Sequence, residues 1–291
     1  MKLALFLLLL LFTAPISAEP KYDLCVTAMF RNEAPYIKEW IEYHKLVGVQ
    51  HFYLFNNLST DDFRSVLDPY IKAGVVELIE WPFESKGEAQ LMQRQQRAYS
   101  RAIKKCIGKT RWLAIIDLDE FIVPVHKNNL VDLLNTRYKR YSGVMINWQL
   151  YGTSNVPSIP KGKLMIETLL YKALPNHVKH QQVKSIVRPE HVKKADLHRC
   201  EFKQGYFAVY ANKNRSLQRS EKLPIDIIRI NHYCTRDEAY YKAVKLPRLK
   251  KHAPYRINIF SIDKLSLVYD DVILRFVEPL KKVMSVNTDT K

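Results

Sequence analysis

Asp117 and Asp119 are the residues whose types and spacing point most directly to chemistry. In an extended segment, side chains two positions apart point to the same face, and two carboxylates there repel each other unless a positive charge lies between them. A divalent cation supplies that charge, and Mg²⁺ or Mn²⁺ prefers carboxylate ligands and also binds substrate phosphates. The pair therefore predicts a metal-dependent phosphate site, and the alternative is a solvated acidic turn.

Two further polar segments offer groups that bind nucleotides. In the run at 55–62, side chains such as Asn56 and Asp61 can hydrogen-bond a ribose or a base. In the run at 31–33, Arg31 can bind a phosphate and Glu33 a ribose hydroxyl. The alternatives are a turn with a helix cap for the first run, and for the second a helix start with favourable acidic charge.

Alternating strands and helices must position these residues. Apolar runs predict buried strands at 24–30, 50–55, 75–79 and 111–116, and helical patterns predict helices at 33–47, 60–70 and 88–106. This β-α-β-α-β-α-β order predicts an α/β fold with a mostly parallel central sheet flanked by helices. Ligands bind at the carboxyl ends of the strands in such sheets, so we expect the polar segments to converge there.

The second half of the chain is less regular. Strands are predicted at 144–150, 183–187, 206–210 and 225–230, and helices at 128–138 and 236–250. No linker rich in Pro, Gly or Ser divides the sequence. We therefore expect one continuous domain over residues 19–291.

Composition narrows the class of protein and its partners. Of the 291 residues, 47% are hydrophobic and 26% charged, which argues against a disordered, collagen-like or coiled-coil chain. A formal charge of +17 suggests an anionic partner such as phosphate, nucleic acid, an acidic glycan or a membrane surface. The basic residues are spread along the chain, and no nucleic-acid-binding motif is present, so no nucleic-acid partner is expected.

The N-terminus has the pattern of an export signal. Lys2 precedes an apolar run at 3–12, and small residues lead to a cleavage site after Ala18. Ten helical residues span about 15 Å, half of a hydrocarbon core of about 30 Å, which favours a cleaved signal over a short anchor. We expect an exported or membrane-associated protein.

The cysteines predict no metal centre. Their spacing contains no C-x-x-C motif, which argues against a zinc site. Cys25 opens an apolar strand and is expected to be a buried free thiol. If the compartment is oxidising, Cys200 and Cys234 are the favoured disulfide pair.

An ordered series of motifs resembles glycosyltransferase family 92 and its bacterial relatives over about residues 22–245. In chain order, the series is Arg-Asn-Glu at 31–33, Tyr-Ile-Lys-Glu-Trp-Ile-Glu-Tyr-His at 36–44, Gly-Val at 48–49, Asn-Asn-Leu-Ser-Thr-Asp at 56–61, Asp-Leu-Asp-Glu-Phe at 117–121, Lys-Ser-Ile-Val-Arg-Pro at 184–189 and Asn-His-Tyr at 231–233. The loop at 56–61 is similar to the Asp-Asp-Gly-Ser-Thr-Asp loop of the broader family 2, with Leu58 in place of Gly.

The resemblance implies a GT-A fold, with a Rossmann-like donor-binding half at about 22–125 and an acceptor half at about 126–291. It implies an inverting transfer from a nucleotide sugar, typically UDP-galactose, to a glycan acceptor. Asp117 would lie by the ribose and the metal, and Asp119 would coordinate Mn²⁺ or Mg²⁺, which neutralises the leaving diphosphate.

Other residues take roles under the same resemblance. His232 is a third metal ligand or a diphosphate contact, or else a core histidine. Lys184 and Arg188 alternate with apolar residues on one strand and can hold phosphates, or else they form a solvated basic face.

An inverting transfer also needs a base for the acceptor hydroxyl. The candidates late enough in the chain are Asp196, His198 and Glu201, of which His198 and Glu201 are favoured. Trp148 and Tyr151 lie where a side chain can stack on a sugar ring, with a core position as the alternative.

Two other functions compete with this interpretation. The first is an exported basic protein that binds acidic glycans or other polyanions without catalysis. The second is a metal-dependent phosphotransferase, but the chain contains no Gly-x-x-x-x-Gly-Lys-Ser/Thr loop. The basic charge is also compatible with association with a membrane surface.

Overall fold

The computed structural model describes residues 19–217 and 222–286. The predicted export signal at 1–18 lies outside the described residues. Within the described ranges, no helix has the length and apolar character needed to cross a membrane.

The strands and helices of the first half follow the predicted alternation. The strands are β1 (Tyr22–Phe30), β2 (His51–Asn56), β3 (Val76–Glu80), β4 (Thr110–Ile115), β5 (Glu120–Pro124) and β6 (Gly143–Leu150). The helices are α1 (Ala34–Leu46), α2 (Phe63–Lys72), α3 (Glu88–Cys106) and α4 (Leu130–Arg137).

Shorter elements make up the second half. The strands are β7 (Tyr171–Lys172), β8 (Val183–Val187), β9 (Val192–Lys194), β10 (Glu201–Phe202), β11 (Ala208–Tyr210), β12 (Ile228–His232) and β13 (Val268–Tyr269). The α-helices are α5 (Met165–Thr168), α6 (Glu238–Tyr240), α7 (Leu246–His252), α8 (Ile262–Leu265) and α9 (Val277–Val286). Single turns of 3₁₀-helix lie at Val178–Gln181, Pro189–His191, Pro254–Arg256 and Val272–Phe276, and a π-helical segment at Tyr241–Lys245 joins α6 to α7.

Among the described residues, nine strands form one sheet, in the order β3-β2-β1-β4-β8-β6-β12-β5 with β11 beside β6. The strands β3, β2, β1 and β4 run parallel, as do β6 and β12, whereas β8 and β5 are antiparallel to their neighbours. The predicted α/β class with a mostly parallel central sheet is confirmed. Strands β1 to β4, β6 and β12 all end at one edge, which we call the carboxyl edge.

Strand β8 runs antiparallel to β4, from the carboxyl edge of the sheet to the opposite edge. Ser185 lies opposite Ile115 and Val187 opposite Leu113, so Lys184 lies at the carboxyl edge and Arg188 beside the start of β4. Lys184 and Arg188 are four positions apart and therefore lie at opposite edges of the sheet. Only Lys184 lies at the carboxyl edge with the acidic pair, so a phosphate held by Arg188 would lie at the other edge.

Helix α1 holds the carboxyl edge in place. Its buried face follows the helical spacing of the sequence, and three of its side chains reach β5. The Trp40 indole donates to the Glu120 carbonyl (2.8 Å), the Tyr43 hydroxyl donates to the Ile122 carbonyl (3.1 Å), and His44 Nε2 accepts from the Ile122 amide (3.3 Å). Burial lowers the pKa of His44 to about 3, so it is a neutral core histidine.

All four cysteines are buried and free. The expected bridge between Cys200 and Cys234 is wrong, because the two residues pack in different hydrophobic clusters. Cys200 shares its cluster with Cys25 and Cys106. The prediction of a buried free thiol at Cys25 is confirmed.

Candidate functional site

The segment between β4 and β5 carries the acidic pair at the carboxyl edge. The chain turns there, and the Glu120 amide donates to the Asp117 carbonyl (3.1 Å). The two carboxylates therefore do not share one face of an extended strand, as the sequence had suggested. Each has its own basic neighbours.

Asp117 is held by three side chains of the protein. Its Oδ2 accepts from the Lys184 ammonium (2.7 Å), and its Oδ1 accepts from the Gln95 amide (2.7 Å) and the Tyr99 hydroxyl (3.1 Å). Burial opposes ionisation of Asp117, but Lys184 outweighs it and lowers the pKa of the carboxyl. Asp117 is thus an ionised carboxylate bound by α3 and β8.

Asp119 faces a different set of basic groups. Its Oδ1 lies 3.4 Å from His232 Nε2, at the end of β12. Burial opposes ionisation, but His232, Lys245 and Arg236 hold the pKa of Asp119 far below its usual range. The Asp119 side chain keeps 23% of its surface exposed, against 31% for Asp117, so a ligand can reach both carboxylates.

Glu120 lies beneath the pair and is fully buried. Its Oε2 accepts from the Asp117 amide (2.9 Å) and lies 3.5 Å from Lys184 Nζ. Burial raises the pKa of Glu120 well above its usual value. Its Oε1 lies 4.0 Å from His232 Nδ1, and neither atom has a hydrogen-bond partner among the described residues.

These residues fit a divalent ion in part. No group of three His, Cys, Asp or Glu side chains in the described ranges has the geometry of a metal site. Asp119 and His232 supply an ionised oxygen and an imidazole nitrogen on one side, and Mg²⁺-type ions are commonly held by one or two protein ligands plus substrate phosphates. Glu120 Oε1 lies on the Nδ1 side of His232, where the outer partner of a ligating histidine is found, but at 4.0 Å it is beyond hydrogen-bond distance. Asp117 Oδ2 accepts one hydrogen bond among the described residues, from Lys184, and the side chain is 31% exposed, so the role of Asp117 as a metal ligand stays a prediction.

Arg236 is a buried cation near Asp119 that the sequence analysis missed. Its Nη2 bonds the carboxylate of Glu33, and its guanidinium stacks on the rings of Tyr36 (3.6 Å) and Tyr240 (4.4 Å). Its Nε and Nη1 are buried and have no hydrogen-bond partner within the described residues. Unpaired buried donors cost free energy, so they mark a place where an anionic ligand is expected.

Lys245 adds a second missed cation. Burial lowers its pKa, with Arg236 and Arg248 acting in the same direction. Its ammonium lies 4.8 Å from the centre of the Phe260 ring. Arg236 and Lys245 both act on the Asp119 carboxylate, and Arg236 and Arg248 both disfavour the charge on Lys245, as like charges do when they lie close together.

Trp148 lies at the centre of the site. Its ring centroid is 4.4 Å from that of His232 and 5.3 Å from that of His198, and Lys184 Nζ lies 6.0 Å above it. The indole Nε1 is buried without a hydrogen-bond partner in the described ranges. Of the two aromatic candidates, Trp148 belongs to the site, whereas Tyr151 is a core residue whose hydroxyl accepts from Arg229 (3.1 Å).

The structure separates the three base candidates. His198 Nδ1 lies 3.0 Å from the Val183 carbonyl, which can only accept, so Nδ1 carries the proton and Nε2 a lone pair. Asp196 accepts from the amides of His198 (2.9 Å) and Arg199 (3.2 Å) and fixes that turn. Glu201 is 56% exposed and pairs with Lys194 (3.8 Å), and the structure does not bring it to the acidic pair.

The loops after β1 and β2 bind each other. The Thr60 amide donates to Asn32 Oδ1 (2.7 Å), and the Asn32 amide donates to Ser59 Oγ (3.0 Å). Leu58, where the family 2 pattern has Gly, takes a left-handed φ of 60°. The Gly of that pattern thus marks a backbone requirement of this turn.

Most of the residues of these loops that were predicted to contact a nucleotide make hydrogen bonds and ion pairs within the protein. Asn56 Nδ2 donates to Glu80 (2.7 Å), and Asp61 Oδ2 accepts from the Ala34 amide (2.7 Å) at the start of α1. Asp61 Oδ1 is buried without a hydrogen-bond partner among the described residues. Glu33 binds Arg236, and Arg31 is exposed.

A sequence profile of glycosyltransferase family 92 matches residues 21–264. A family 92 protein of Ricinus communis is 24% identical over 225 residues, covering 75% of this chain and 36% of the relative. One of Arabidopsis thaliana is 26% identical over 199 residues, covering 64% and 32%. The chain thus spans about a third of the length of these plant proteins. The beta-1,4-galactosyltransferase galt-1 of Caenorhabditis elegans is 24% identical over 245 residues, covering 78% and 52%.

Solved structures give distant matches. S. aureus TarS 1–349 in complex with UDP has a TM-score of 0.38 and 12% identity, covering 57% of this chain and 47% of that one. Glucosyl-3-phosphoglycerate synthase of Mycobacterium tuberculosis, in complex with Mn²⁺, UDP and glucosyl-3-phosphoglycerate, has a TM-score of 0.33 and 15% identity, covering 59% and 58%.

Proposed function

The chain belongs to glycosyltransferase family 92, and we propose that it transfers a hexose from a UDP-sugar to a glycan acceptor with inversion of the anomeric centre. The proposal rests on the acidic pair at the carboxyl edge. The carboxylates of Asp117 and Asp119 lie apart there, and each has a different set of basic groups around it. The name of the nematode relative supports galactose as the sugar.

The metal ligands under this proposal are Asp119 and His232, with Glu120 behind the histidine. Mn²⁺ or Mg²⁺ would supply a positive charge that stabilises the leaving diphosphate. Asp117 takes another role: bound to Lys184, Gln95 and Tyr99, it fixes the shape of the turn and so the direction of Asp119.

Arg236 and Lys245 would assist the departure of the nucleotide. Both are buried cations near Asp119, and Arg236 has two nitrogens, Nε and Nη1, without a hydrogen-bond partner among the described residues. Positive groups fixed in a protected site stabilise charge that develops on the leaving group, because they need no reorganisation when the bond breaks. The stacking on Tyr36 and Tyr240 keeps the guanidinium in place.

His198 is the proposed base. Its bond to the Val183 carbonyl leaves Nε2 able to accept the proton of the acceptor hydroxyl. Burial and the neighbouring Lys184 lower the pKa of His198, so the ring is neutral at pH 7. Trp148 is buried and contacts both His198 and His232, so it positions the two imidazole rings relative to each other.

A donor-hydrolysis and transfer assay tests the proposal. The full chain is incubated with UDP-hexoses and glycan acceptors, with Mn²⁺ or with a chelator, and release of UDP is followed. We expect metal-dependent UDP release with at least one donor, abolished by Asp119→Asn and unchanged in Asp68→Asn, an exposed control on α2. UDP release that is equal with chelator and with Mn²⁺ would contradict the metal role.

A further inference from the structure

A second pocket lies at the opposite edge of the sheet from the acidic pair. Its volume is about 560 Å³, and it is bounded by the start of β4, the segment before β6, the end of β8 and the segment before β11. Arg188 lies four residues along β8 from Lys184, about 13 Å at 3.3 Å per residue. The pocket is therefore separate from the proposed transfer site.

The pocket is lined by basic and aromatic side chains. Its cationic and imidazole groups are Arg111, Lys139, Arg140, Arg188 and His191. Its aromatic groups are Tyr141, Tyr206 and Phe207. None of the described residues that line it is acidic.

Arg188 is fixed at the base of the pocket. Its Nε donates to the Tyr141 carbonyl (3.1 Å), its Nη2 donates to the Lys139 carbonyl (2.8 Å), and its guanidinium lies 4.4 Å from the centre of the Trp112 ring. A guanidinium has five N–H donors in a planar arrangement that matches carboxylate and sulfate oxygens. Two of the five are used in these bonds.

Arg188 forms no salt bridge among the described residues, although the carboxylate of Glu190 is near enough to favour its charged form. Arg111 pairs with Asp23 (2.9 Å) and with Glu19, whereas Arg188 binds only carbonyl oxygens in the contacts above. Burial and the nearby Arg111 both lower the pKa of Arg188. The exposed side chains of Lys139 and Arg140 add further positive charge at the rim.

The aromatic groups form a platform beside these cations. The rings of His191 and Tyr206 stack with centroids 3.8 Å apart, and Tyr206 is 46% exposed. Aromatic faces bind the apolar face of a sugar ring, as they bind other flat apolar surfaces. A pocket of this volume admits a short oligosaccharide, whereas a membrane surface or a duplex needs a broad convex or grooved contact.

We propose that this pocket binds an acidic oligosaccharide, with a sugar ring against Tyr206 and a carboxylate or sulfate group between Arg188 and Arg140. The inference does not depend on the proposed transfer reaction, because binding is measured without donor or metal. If both hold, the second site recruits an acidic glycan to a different face of the protein from the site of transfer.

Calorimetry with a heparin-derived tetrasaccharide, at physiological salt and without metal, tests the pocket. We expect Arg140→Gln, an exposed position, to weaken binding about tenfold, the effect of one charge-assisted contact. Arg188→Gln should weaken it at least as much, with circular dichroism to check folding. Arg101→Gln, an exposed arginine on α3 outside the pocket, should bind as the wild type does.

The identity of the ligand is tested by the variant Tyr206→Ala and by four further probes. Tyr206→Ala should weaken the tetrasaccharide but leave the affinity for inorganic sulfate unchanged, because only the sugar ring meets the aromatic platform. A neutral tetrasaccharide should not bind. Equal affinity of Arg140→Gln, Arg188→Gln and wild type would overturn the proposal, as would tighter, Arg140-dependent binding of phosphatidylserine vesicles or of a single-stranded oligonucleotide.

The two proposals fail separately. Asp119→Asn should stop transfer while tetrasaccharide binding persists, and Arg140→Gln should lose tetrasaccharide binding while UDP release from the donor continues. Loss of tetrasaccharide binding in Asp119→Asn would contradict the inference that the two sites are independent.

Discussion

The Lys184 ammonium lies 2.7 Å from Oδ2 of Asp117 and is almost completely buried. The same nitrogen lies 3.5 Å from the buried carboxyl of Glu120. One cation thus supports two acidic groups at the turn that carries Asp119. The relationship explains why an ionised aspartate next to a second aspartate is tolerated there.

Lys184→Met should lower the free energy of unfolding by about 3 kcal/mol, because it leaves a largely buried carboxylate without its partner. Urea denaturation measures the change. Lys105→Met is the matched control: its ion pair with Glu77 has the same 2.7 Å length, but the Lys105 side chain is 35% exposed, so its loss should cost less than about 1 kcal/mol. Adding Asp117→Asn to Lys184→Met should recover part of the stability. Equal costs for the two lysine variants would contradict the role of burial.

Asp119→Asn should abolish the Mn²⁺-dependent part of UDP affinity, while Asp117→Asn retains it. The reason is that Asp119 is open beside His232, whereas the oxygens of Asp117 bind protein donors. Titration calorimetry of UDP with and without Mn²⁺, and of Mn²⁺ alone, measures both variants. An Asp117→Asn protein that folds normally but has lost its metal dependence would place Asp117 among the ligands.

His198→Ala should lower the rate of transfer about 10²–10⁴-fold, the usual effect of losing a general base. Donor affinity should not change, because the base acts only on the acceptor hydroxyl. Glu201→Gln is the control, since that carboxylate is exposed and pairs with Lys194. Rates and donor affinities of both variants are compared with those of the wild type. A slow Glu201→Gln beside a fast His198→Ala would reverse the assignment.

Glu39 should make stability depend on pH. Its carboxylate accepts from the amides of Met165 (2.9 Å) and Ile166 (3.0 Å), and burial raises its pKa to about 7. The unfolded chain titrates near 4.3, so folding favours the protonated form. Its contribution to the free energy of unfolding is complete below about pH 4.3 and is lost as pH rises through about 7, a change on the order of 4 kcal/mol.

The comparison with Glu39→Gln isolates that contribution. The difference in unfolding free energy between wild type and variant should change between pH 4.5 and 7 and stay constant above pH 8. Glu84→Gln, an exposed control, should show no such difference. A constant difference between wild type and Glu39→Gln across the whole range would contradict the raised pKa.

The local pattern of apolar and polar residues was sufficient to predict the first half of the fold. Helix α3 has the predicted limits of Glu88 and Cys106, and β1 to β4 lie within two residues of their predicted bounds. These elements are long, and each has a clear apolar period. Strand β5 was missed because its first residue, Glu120, belongs to the acidic run, and its partner β12 lies more than a hundred residues later.

Only part of the site was predicted, because contacts between residues far apart in the sequence are again hidden. The sequence indicated Asp119 and His232, because the resemblance covered both motifs, and they lie 3.4 Å apart. It did not indicate Arg236 or Lys245, which follow the last motif: Arg236 lies in the turn after β12 and Lys245 in the π-helical segment, and both act on Asp119 only in the folded chain. The direction of β8 was equally hidden, since an apolar strand has the same pattern in either orientation.

The four buried thiols have a practical consequence. Burial raises the pKa values of Cys25, Cys106 and Cys200 to about 12 and that of Cys234 to about 11, so none reacts readily in the native protein. Alkylation by a cysteine-directed reagent then requires local opening of the fold. Cys234 packs in one hydrophobic cluster and the other three cysteines pack in a second. Mass spectrometry of the labelled peptides would therefore record how often each cluster opens, without an engineered cysteine.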